Sequence, residues 1–263
     1  MAQTFFTHQI ANIAARINIE VPNERPFTGT GFFYLASLND GTNRSITLLI
    51  SNKHVFHNTK GRLMISLNRR KTDGTPEFGN IRTFDRIGFE GEYFPHPAPD
   101  VDLACVNVSY FTHTDAFIQV LDDKFLKPID YEKVAPGSDI IFVGYPEGLY
   151  DPVNNLPLIR KGSIASMPNV DFNGKGQIII DAQIFPGSSG SPVFVAWDNE
   201  YSLLGVVSDT MIRDSRLEIL QANMPPVGVK QILGLGIVVK QRHVQELIDY
   251  TVKEFVQRTS QKV

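Results

Sequence analysis

A pair of serines between two glycines stands out in FPGSSGSPV, residues 185–193, because a serine hydroxyl becomes a nucleophile once a base removes its proton. Strand-like segments precede and follow this turn. A glycine two residues before the serine lets the backbone bend, so that the N–H groups of Gly187 and Ser189 can point at one spot. Two such donors would stabilise an oxyanion, and losing one typically costs about 10²–10³ in rate. Taken alone, the segment is also typical of an ordinary tight turn.

A nucleophilic serine needs a base, and position along the chain singles out one of the six histidines. His54 ends the apolar run ITLLIS within LLISNKHVF, which would place its backbone at a rigid strand end. The base in turn needs an orienting carboxylate on its other ring nitrogen. In PAPDVDLACVNV, Asp100 and Asp102 are both candidates. Asp102 directly abuts the apolar strand and buried carboxylates need a partner, so we expect Asp102 to orient His54 and Asp100 to face solvent.

The elements that would position these residues are mostly strands. Short apolar or alternating runs bounded by turn residues recur along the chain and predict about a dozen strands. No helix-sized pattern separates consecutive strands, which favours barrels or sandwiches over a parallel α/β sheet. The polar segment 122–139 contains two prolines and a glycine and is the best linker candidate. We therefore predict one domain over residues 1–124, with the candidate base and acid, and a second over residues 125–263, with the candidate nucleophile.

One helix is expected near the C-terminus, over about residues 241–258, because its apolar residues fall on one helical face. Such a helix is expected to pack on its own domain. A weaker helical stripe lies over residues 8–17, where a strand is also compatible with the pattern. The apolar face of the C-terminal helix consists of Val244, Leu247, Ile248, Val252, Phe255 and Val256.

The composition argues against several classes of protein. The 263 residues include 25 basic and 28 acidic side chains, a balance that disfavours a protein built to grip nucleic acid or anionic lipid. No apolar run reaches the roughly 18 residues that a membrane span needs. The single cysteine, Cys105, excludes an internal disulfide and a Cys-based zinc cluster. No signal-like segment begins the chain, which predicts a cytoplasmic protein, or a secreted one if the sequence has been trimmed.

Taken in the order His54, Asp102, Ser189, these motifs resemble the trypsin-like serine proteases of the chymotrypsin fold. The resemblance is closest to the bacterial branch that includes HtrA-type and V8-type (glutamyl endopeptidase-like) enzymes. It implies an all-β fold of two antiparallel Greek-key six-stranded β-barrels, with the active site in the cleft between them, to which the predicted C-terminal α-helix is added. The matching pieces span about residues 28–240 and read TGTGFFY, LLISNKHVF, DVDLACV, IIFVGYPEG, IIIDAQIFPGSSGSPVF, LLGVVSD and LGIVV.

The resemblance also implies a role for each matching residue. Ser189 would be the nucleophile, His54 the general base and then acid, and Asp102 the orienting carboxylate. The N–H groups of Gly187 and Ser189 would form the oxyanion hole. The implied activity is hydrolysis of a polypeptide through an acyl-enzyme intermediate, with no metal or organic cofactor. The implied substrate-binding residues are Gln183 at the floor of the specificity pocket, Gly236 on its wall, and Ser208, Asp209 and Thr210 on a strand that pairs with the substrate backbone.

Departures from the family pattern concern activation and specificity. Ser188 stands where trypsin itself has an aspartate that pairs with a freed N-terminal amine, and no cleavage site before an Ile-Val start is present. We therefore expect the full-length chain to be competent without clipping. GVVSDT lacks the histidine of glutamyl-specific members and Gln183 is neutral, so no side-chain preference is predicted. A cytosolic endopeptidase of this kind would need control by narrow substrate choice, a regulatory protein partner or a triggered active site.

Three other interpretations stay open at this point. A catalytically silent protease fold could serve as a peptide- or protein-binding module. An α/β-hydrolase esterase would need G-x-S-x-G followed by a histidine, but Ser191 replaces the last glycine and the only downstream histidine, His243, lies at a charged helix start. Nucleic-acid contact rests on the cluster NRRK at residues 68–71 alone, which is typical of a solvated loop. The sequence does not predict the oligomeric state.

Overall fold

The computed structural model describes residues 9–38, 40–41, 43–147, 149–197, 200–217 and 227–260, which form two antiparallel β units and a C-terminal helix. No helix in these ranges is long and apolar enough to cross a membrane. The elements are β1 (Ala14–Glu20), β2 (Phe27–Ser37), β3 (Ser45–Ser51), β4 (Arg62–Arg70), β5 (Pro76–Ile87), β6 (Tyr93–Pro95), β7 (Ala104–Asn107), β8 (Asp139–Gly144), β9 (Leu158–Ile164), β10 (Gln177–Asp181), β11 (Pro192–Trp197), β12 (Glu200–Leu217), β13 (Val227–Lys240) and α1 (Gln241–Ser260).

The first unit is a seven-stranded antiparallel sheet in the order β5-β4-β1-β2-β3-β7-β6. It has seven strands where six were predicted. Strand β1 begins within the segment 8–17 that has the helical stripe, and the three-residue strand β6 pairs with β7. Side chains alternate across a strand. In β2, Phe33 therefore packs in a core within the first unit, while Phe32 and Tyr34 pack in a core shared with the second unit. Burial on both faces explains why β2 and β3 read as continuous apolar runs.

The second unit is a closed barrel of six antiparallel strands in the order β10-β13-β12-β11-β8-β9. Its interior is filled by β-branched and aromatic side chains such as Phe142, Ile180 and Val193. The β12–β13 pair continues past the barrel as far as the pairing Leu217↔Val227. An all-β fold with two antiparallel units and a C-terminal helix is thus confirmed.

Helix α1 covers the predicted 241–258 segment and packs on its own chain. Val244, Leu247 and Ile248 are buried in the core shared by the two units. The residue before the helix, Lys240, is buried, and its ammonium donates to Asp171 over 2.8 Å. Hydrogen bonds from Arg242 and Lys240 hold the pKa of Asp171 well below its ordinary value. The helix start is therefore tied to the barrel by an ion-pair network as well as by apolar packing.

The predicted linker contains no strand or helix up to the start of β8. It connects the last strand of the first unit to the barrel, but the proposed domain division between residues 124 and 125 stays a prediction. Cys105 is fully buried in β7, and burial raises the pKa of its thiol to about 12. It is therefore an inert core residue.

Candidate active site

His54 and Asp102 meet at one end of the first sheet. His54 lies in the turn after β3, and Asp102 comes just before β7, which pairs with β3 through Ser51↔Ala104. His54 Nδ1 lies 2.6 Å from Asp102 Oδ2, and the His54 backbone N–H donates to Asp102 Oδ1 over 3.2 Å. An ionised carboxylate only accepts hydrogen bonds, so Nδ1 carries the hydrogen of the neutral imidazole. His54 Nε2 is then the nitrogen that can take up a proton.

Asp102 is held by partners beyond His54. Asn52 Nδ2 donates to the Asp102 backbone carbonyl over 2.7 Å, and Ser208 Oγ donates to Asp102 Oδ2 over 3.1 Å. Burial disfavours the ionised carboxyl, but the hydrogen bonds and charge of His54, together with the Ser208 hydroxyl, outweigh burial and lower the pKa of Asp102. The alternative carboxylate, Asp100, is exposed. The structure therefore pairs His54 with the carboxylate that abuts the apolar strand.

Ser189 lies in the turn between β10 and β11, and Ser208 connects it to the pair on the first sheet. Ser189 Oγ donates to the Ser208 carbonyl over 3.2 Å. Within the described ranges, no hydrogen bond joins the Ser189 hydroxyl to His54. Ser208 thus contacts Ser189 through its carbonyl and Asp102 through its hydroxyl. His54 joins this chain of contacts through Asp102, and in the described residues no hydrogen bond connects the base directly to the nucleophile.

A β-bulge explains why Ser208 reaches Asp102. On β12, Val207 pairs with Val238 and Asp209 pairs with Ile237, so Ser208 is the extra residue between two consecutive partners. Bulges turn a side chain away from regular alternation and occur often beside active sites. Sequence alternation alone does not predict this orientation.

Two backbone N–H groups beside Ser189 have no acceptor within the described part of the chain: those of Gly187 and of Ser189 itself. The Pro186 carbonyl accepts from the Glu147 N–H over 2.7 Å. The C=O and N–H of a trans peptide point in opposite directions, so the Gly187 N–H faces away from Glu147. Gly187 has φ +84°, and a Cβ there would lie 2.6 Å from the Tyr145 carbonyl oxygen. Only glycine fits this conformation, which leaves two N–H donors free for an anion.

The strand predicted to bind substrate has one free edge. Asp209 and Thr210 pair with β13, whereas the pairing between β12 and β11 ends at Val206. Over residues 208–210, the edge that faces away from β13 therefore has no strand partner in the described structure. Asp209 is exposed and Thr210 is half-buried. The geometry is compatible with addition of an extended peptide.

The predicted pocket residues have neighbours that the sequence did not indicate. Gln183 is exposed, and its backbone carbonyl accepts from the Arg160 guanidinium. Arg160 stacks on Phe142 and Phe185, with distances of 4.9 and 5.0 Å to the ring centroids, and burial lowers its pKa. A Cβ at Gly236 would lie 2.5 Å from the Ile184 side chain, so that glycine provides close packing. A cation therefore lies beside the position predicted as the pocket floor.

Thr30 was also missed as a site residue, although it stands in the quoted motif TGTGFFY. Its side chain is fully buried, and it bonds to the turn that carries Ser189. The Thr30 N–H donates to the Ser189 carbonyl over 2.9 Å, and its hydroxyl donates to the Gly187 carbonyl over 2.8 Å. A hydroxyl directly before the apolar run GFFYLA was the available signal, because buried polar groups need partners.

Comparison with known proteins tests the predicted family resemblance. The family model of the trypsin-like peptidase domain matches residues 29–206. No curated protein sequence matches the chain. Among solved structures, an HtrA-type protease, AlgW with tripeptide, superposes with a TM-score of 0.55 at 15% identity, covering 94% of this chain and 62% of that chain. Deg5 superposes with a TM-score of 0.52 at 17% identity, covering 80% of this chain and 85% of that chain. A serine endoprotease from Yersinia pestis superposes with a TM-score of 0.50 at 13% identity, covering 94% of this chain and 66% of that chain.

The family match confirms the predicted resemblance to the trypsin-like proteases. At such identities the superpositions show the fold, and this chain spans less than two thirds of the AlgW chain. The family match covers more than half of the sequence and includes His54, Asp102 and Ser189. The chain therefore belongs to the trypsin-like peptidase domain family.

Proposed function

We propose that this protein is a serine endopeptidase that hydrolyses peptide bonds through an acyl-enzyme intermediate, with His54, Asp102 and Ser189 as its triad. The observation that carries the proposal is the 2.6 Å pair of His54 and Asp102, which leaves Nε2 available as a base. Ser189 and Asp102 both bond to Ser208, and the Ser189 hydroxyl lies beside two N–H groups that have no acceptor in the described part of the chain. Base, nucleophile and oxyanion donors are the three parts that acyl transfer needs.

The proposed reaction begins when an extended peptide adds to the free edge of β12 at residues 208–210. A substrate N–H that bonds to the Ser208 carbonyl would replace the Ser189 hydroxyl there. A rotation about the Ser189 Cα–Cβ bond then turns Oγ toward His54. This step would make the missing bond between nucleophile and base when substrate is present.

Nε2 of His54 then takes the Ser189 proton as Oγ attacks the scissile carbonyl carbon. The oxyanion receives hydrogen bonds from the N–H groups of Gly187 and Ser189. His54 gives the proton to the leaving amine, and Asp102 stabilises the imidazolium between the two transfers. Water, activated by the same imidazole, hydrolyses the acyl-enzyme and restores the Ser189 hydroxyl.

A fluorophosphonate probe tests the proposed nucleophile, because it forms an adduct only with an activated serine. We expect one adduct per chain, located on Ser189 by mass spectrometry of the labelled peptide and absent in Ser189→Ala. Ser188→Ala is the matched control, since the Ser188 hydroxyl has no hydrogen-bond partner in the described structure. That variant should keep the adduct. Labelling of Ser188, or of neither serine in folded protein, would contradict the proposal.

A silent peptide-binding module is the second candidate, and one observation favours it: the Ser189 hydroxyl bonds to Ser208 and not to His54. A binding module needs only the free β12 edge. Titration of a fluorescent peptide library separates the two candidates. Binding without cleavage or probe labelling supports the module, whereas cleavage that disappears in Ser189→Ala supports the endopeptidase.

A further inference from the structure

Thr30 connects the two β units at the turn that carries the candidate nucleophile. It belongs to β2 of the first sheet and has no exposed surface. Its hydroxyl accepts from the Tyr145 N–H over 2.9 Å and donates to the Gly187 carbonyl over 2.8 Å. Its own N–H donates to the Ser189 carbonyl, and its own carbonyl accepts from Ser51 Oγ over 2.6 Å. Every polar atom of Thr30 is therefore bonded, and its N–H and hydroxyl are bonded to the second unit.

These contacts orient two consecutive peptide groups. The Glu147 N–H fixes the Pro186 carbonyl, and Thr30 fixes the Gly187 carbonyl. Gly187 has φ +84° and, as a glycine, could adopt either sign of φ at little cost. The Gly187 N–H belongs to the Pro186–Gly187 peptide, so rotation of that peptide would remove this donor from the anion-binding side and present a carbonyl oxygen there. The Gly187–Ser188 peptide that Thr30 holds lies on the other side of the Gly187 Cα, and its N–H donates to the Phe185 carbonyl over 3.0 Å. Together the two peptides set the φ and ψ of Gly187. External bonds must therefore select the productive orientation.

The residue before the nucleophile contributes no side-chain anchor. Ser188 is buried, and its hydroxyl has no hydrogen-bond partner in the ranges that the structure describes. The turn is instead held by Thr30 from one side and by the segment at Tyr145 and Glu147 from the other. Among the residues that the structure describes, Thr30 is the one whose side chain bonds to both this segment and the turn.

We propose that Thr30 is a positioning residue: by holding the Gly187–Ser188 peptide, it keeps the Gly187 backbone in the conformation that aims the Gly187 N–H at an oxyanion. The proposal rests on the proposed endopeptidase function. A hydroxyl is the right group because it accepts and donates at the same time. Valine has nearly the same shape but can do neither, and it would leave the Tyr145 N–H and the Gly187 carbonyl unpaired in a buried place.

The kinetic test compares Thr30→Val with Thr30→Ser in the full chain. We expect Thr30→Val to lower kcat about 10- to 100-fold, since misplacing an oxyanion donor costs part of the 10²–10³ that its removal costs. KM should stay within about twofold, because the substrate-binding edge is untouched. Thr30→Ser keeps the hydroxyl and should retain kcat within about threefold. Equal kcat in both variants, or a loss confined to KM, would overturn the proposal.

Amide hydrogen exchange provides a readout that does not depend on activity. We expect exchange in residues 186–191 to speed up at least about tenfold in Thr30→Val and to stay unchanged in Thr30→Ser, while the barrel-core residues 178–180 keep their protection in both. Unchanged exchange in Thr30→Val would refute the positioning role. If Thr30→Val does not fold, Thr30→Ala replaces it in both tests.

The two proposals can fail separately. A wild-type chain that neither hydrolyses peptides nor reacts with the probe refutes the endopeptidase, and the exchange measurement still decides whether Thr30 holds the turn. An active wild type with an equally active Thr30→Val refutes the positioning role alone.

Discussion

His54 and Asp102 stand beside neighbouring strand ends of the first sheet, whereas Ser189 stands on a turn of the barrel that contains two glycines. The first pair is joined by a side-chain and a backbone hydrogen bond. The Ser189 hydroxyl bonds instead to the Ser208 carbonyl. The difference shows that strand register alone can assemble the acid and base, since β3 and β7 must align to pair. The nucleophile turn depends on contacts that cross between the two units.

The cores show the same contrast. Strands β2 and β3 are buried on both faces, so the end of β3 that leads to His54 is held by packing on each side of the sheet. The turn at Ser189 contains two glycines in the left-handed region, Gly187 and Gly190. A Cβ at Gly190 would lie 1.8 Å from the Thr30 carbonyl oxygen, so the turn fits against β2 only because that side chain is absent. Substitutions in the two regions should therefore fail in different ways.

The largest effect is expected from the acid on the first sheet. Asp102→Asn should lower kcat/KM about 10⁴-fold, because an amide neither orients the neutral imidazole in the required tautomer nor stabilises the imidazolium. Asp100→Asn is the matched control, since this neighbour is exposed, and it should stay within about twofold. Steady-state kinetics on one peptide substrate measures both. Equal activity of the two variants would show that the pair in the structure is not used.

The next effect concerns the nucleophile turn. Gly187→Ala should lower kcat about 10²–10³-fold, because the Cβ would push against the Tyr145 carbonyl and displace an oxyanion donor. Gly137→Ala has nearly the same φ, +86°, but open space around the added atom. It should cost only about 1 kcal/mol in the free energy of unfolding and leave kcat unchanged. Urea unfolding and steady-state kinetics measure the two effects. If both variants lose kcat to the same extent, the conformation of the Gly187 turn is not what catalysis depends on.

The smallest effect is expected at Ser208, which contacts both regions. Ser208→Ala should lower the free energy of unfolding by about 1 kcal/mol at pH 7, since it removes a hydrogen bond to an ionised carboxylate. The pKa of Asp102 is lowered in the folded state, so its contribution to stability is present above about pH 4 and is lost as the pH falls below that value. The difference between wild type and Ser208→Ala should therefore shrink in acid.

Ser138→Ala is the control for that titration, because the Ser138 hydroxyl accepts from the Ala135 N–H and touches no carboxylate in the described structure. The difference in the free energy of unfolding between Ser138→Ala and wild type should be the same at pH 7 and at pH 3. Urea unfolding at each pH measures all three proteins. If the difference in unfolding free energy between Ser208→Ala and wild type also stays the same from pH 7 to pH 3, the Ser208 hydroxyl does not stabilise the charged form of Asp102.

Local pattern was sufficient for much of the fold. Apolar runs bounded by turn residues predicted the strands, and helical periodicity predicted α1 with its buried face. The stripe at residues 8–17 was ambiguous because its β-branched residues suit either element, and pairing of β1 with β2 and β4 decided for a strand from Ala14. The three-residue β6 has too little pattern to be predicted by itself.

The sequence by itself determined which residue types stand at strand ends and turns, and this was enough to nominate His54, Asp102 and Ser189. Only the tertiary structure decided that Ser208 turns its hydroxyl to Asp102 and that Arg160 lies beside Gln183. These contacts join residues that are 23 to 106 positions apart in the chain. The bulge at Ser208 and the packing at the end of the barrel determine these contacts. The local sequence cannot predict them, because it does not indicate which distant groups such features bring together.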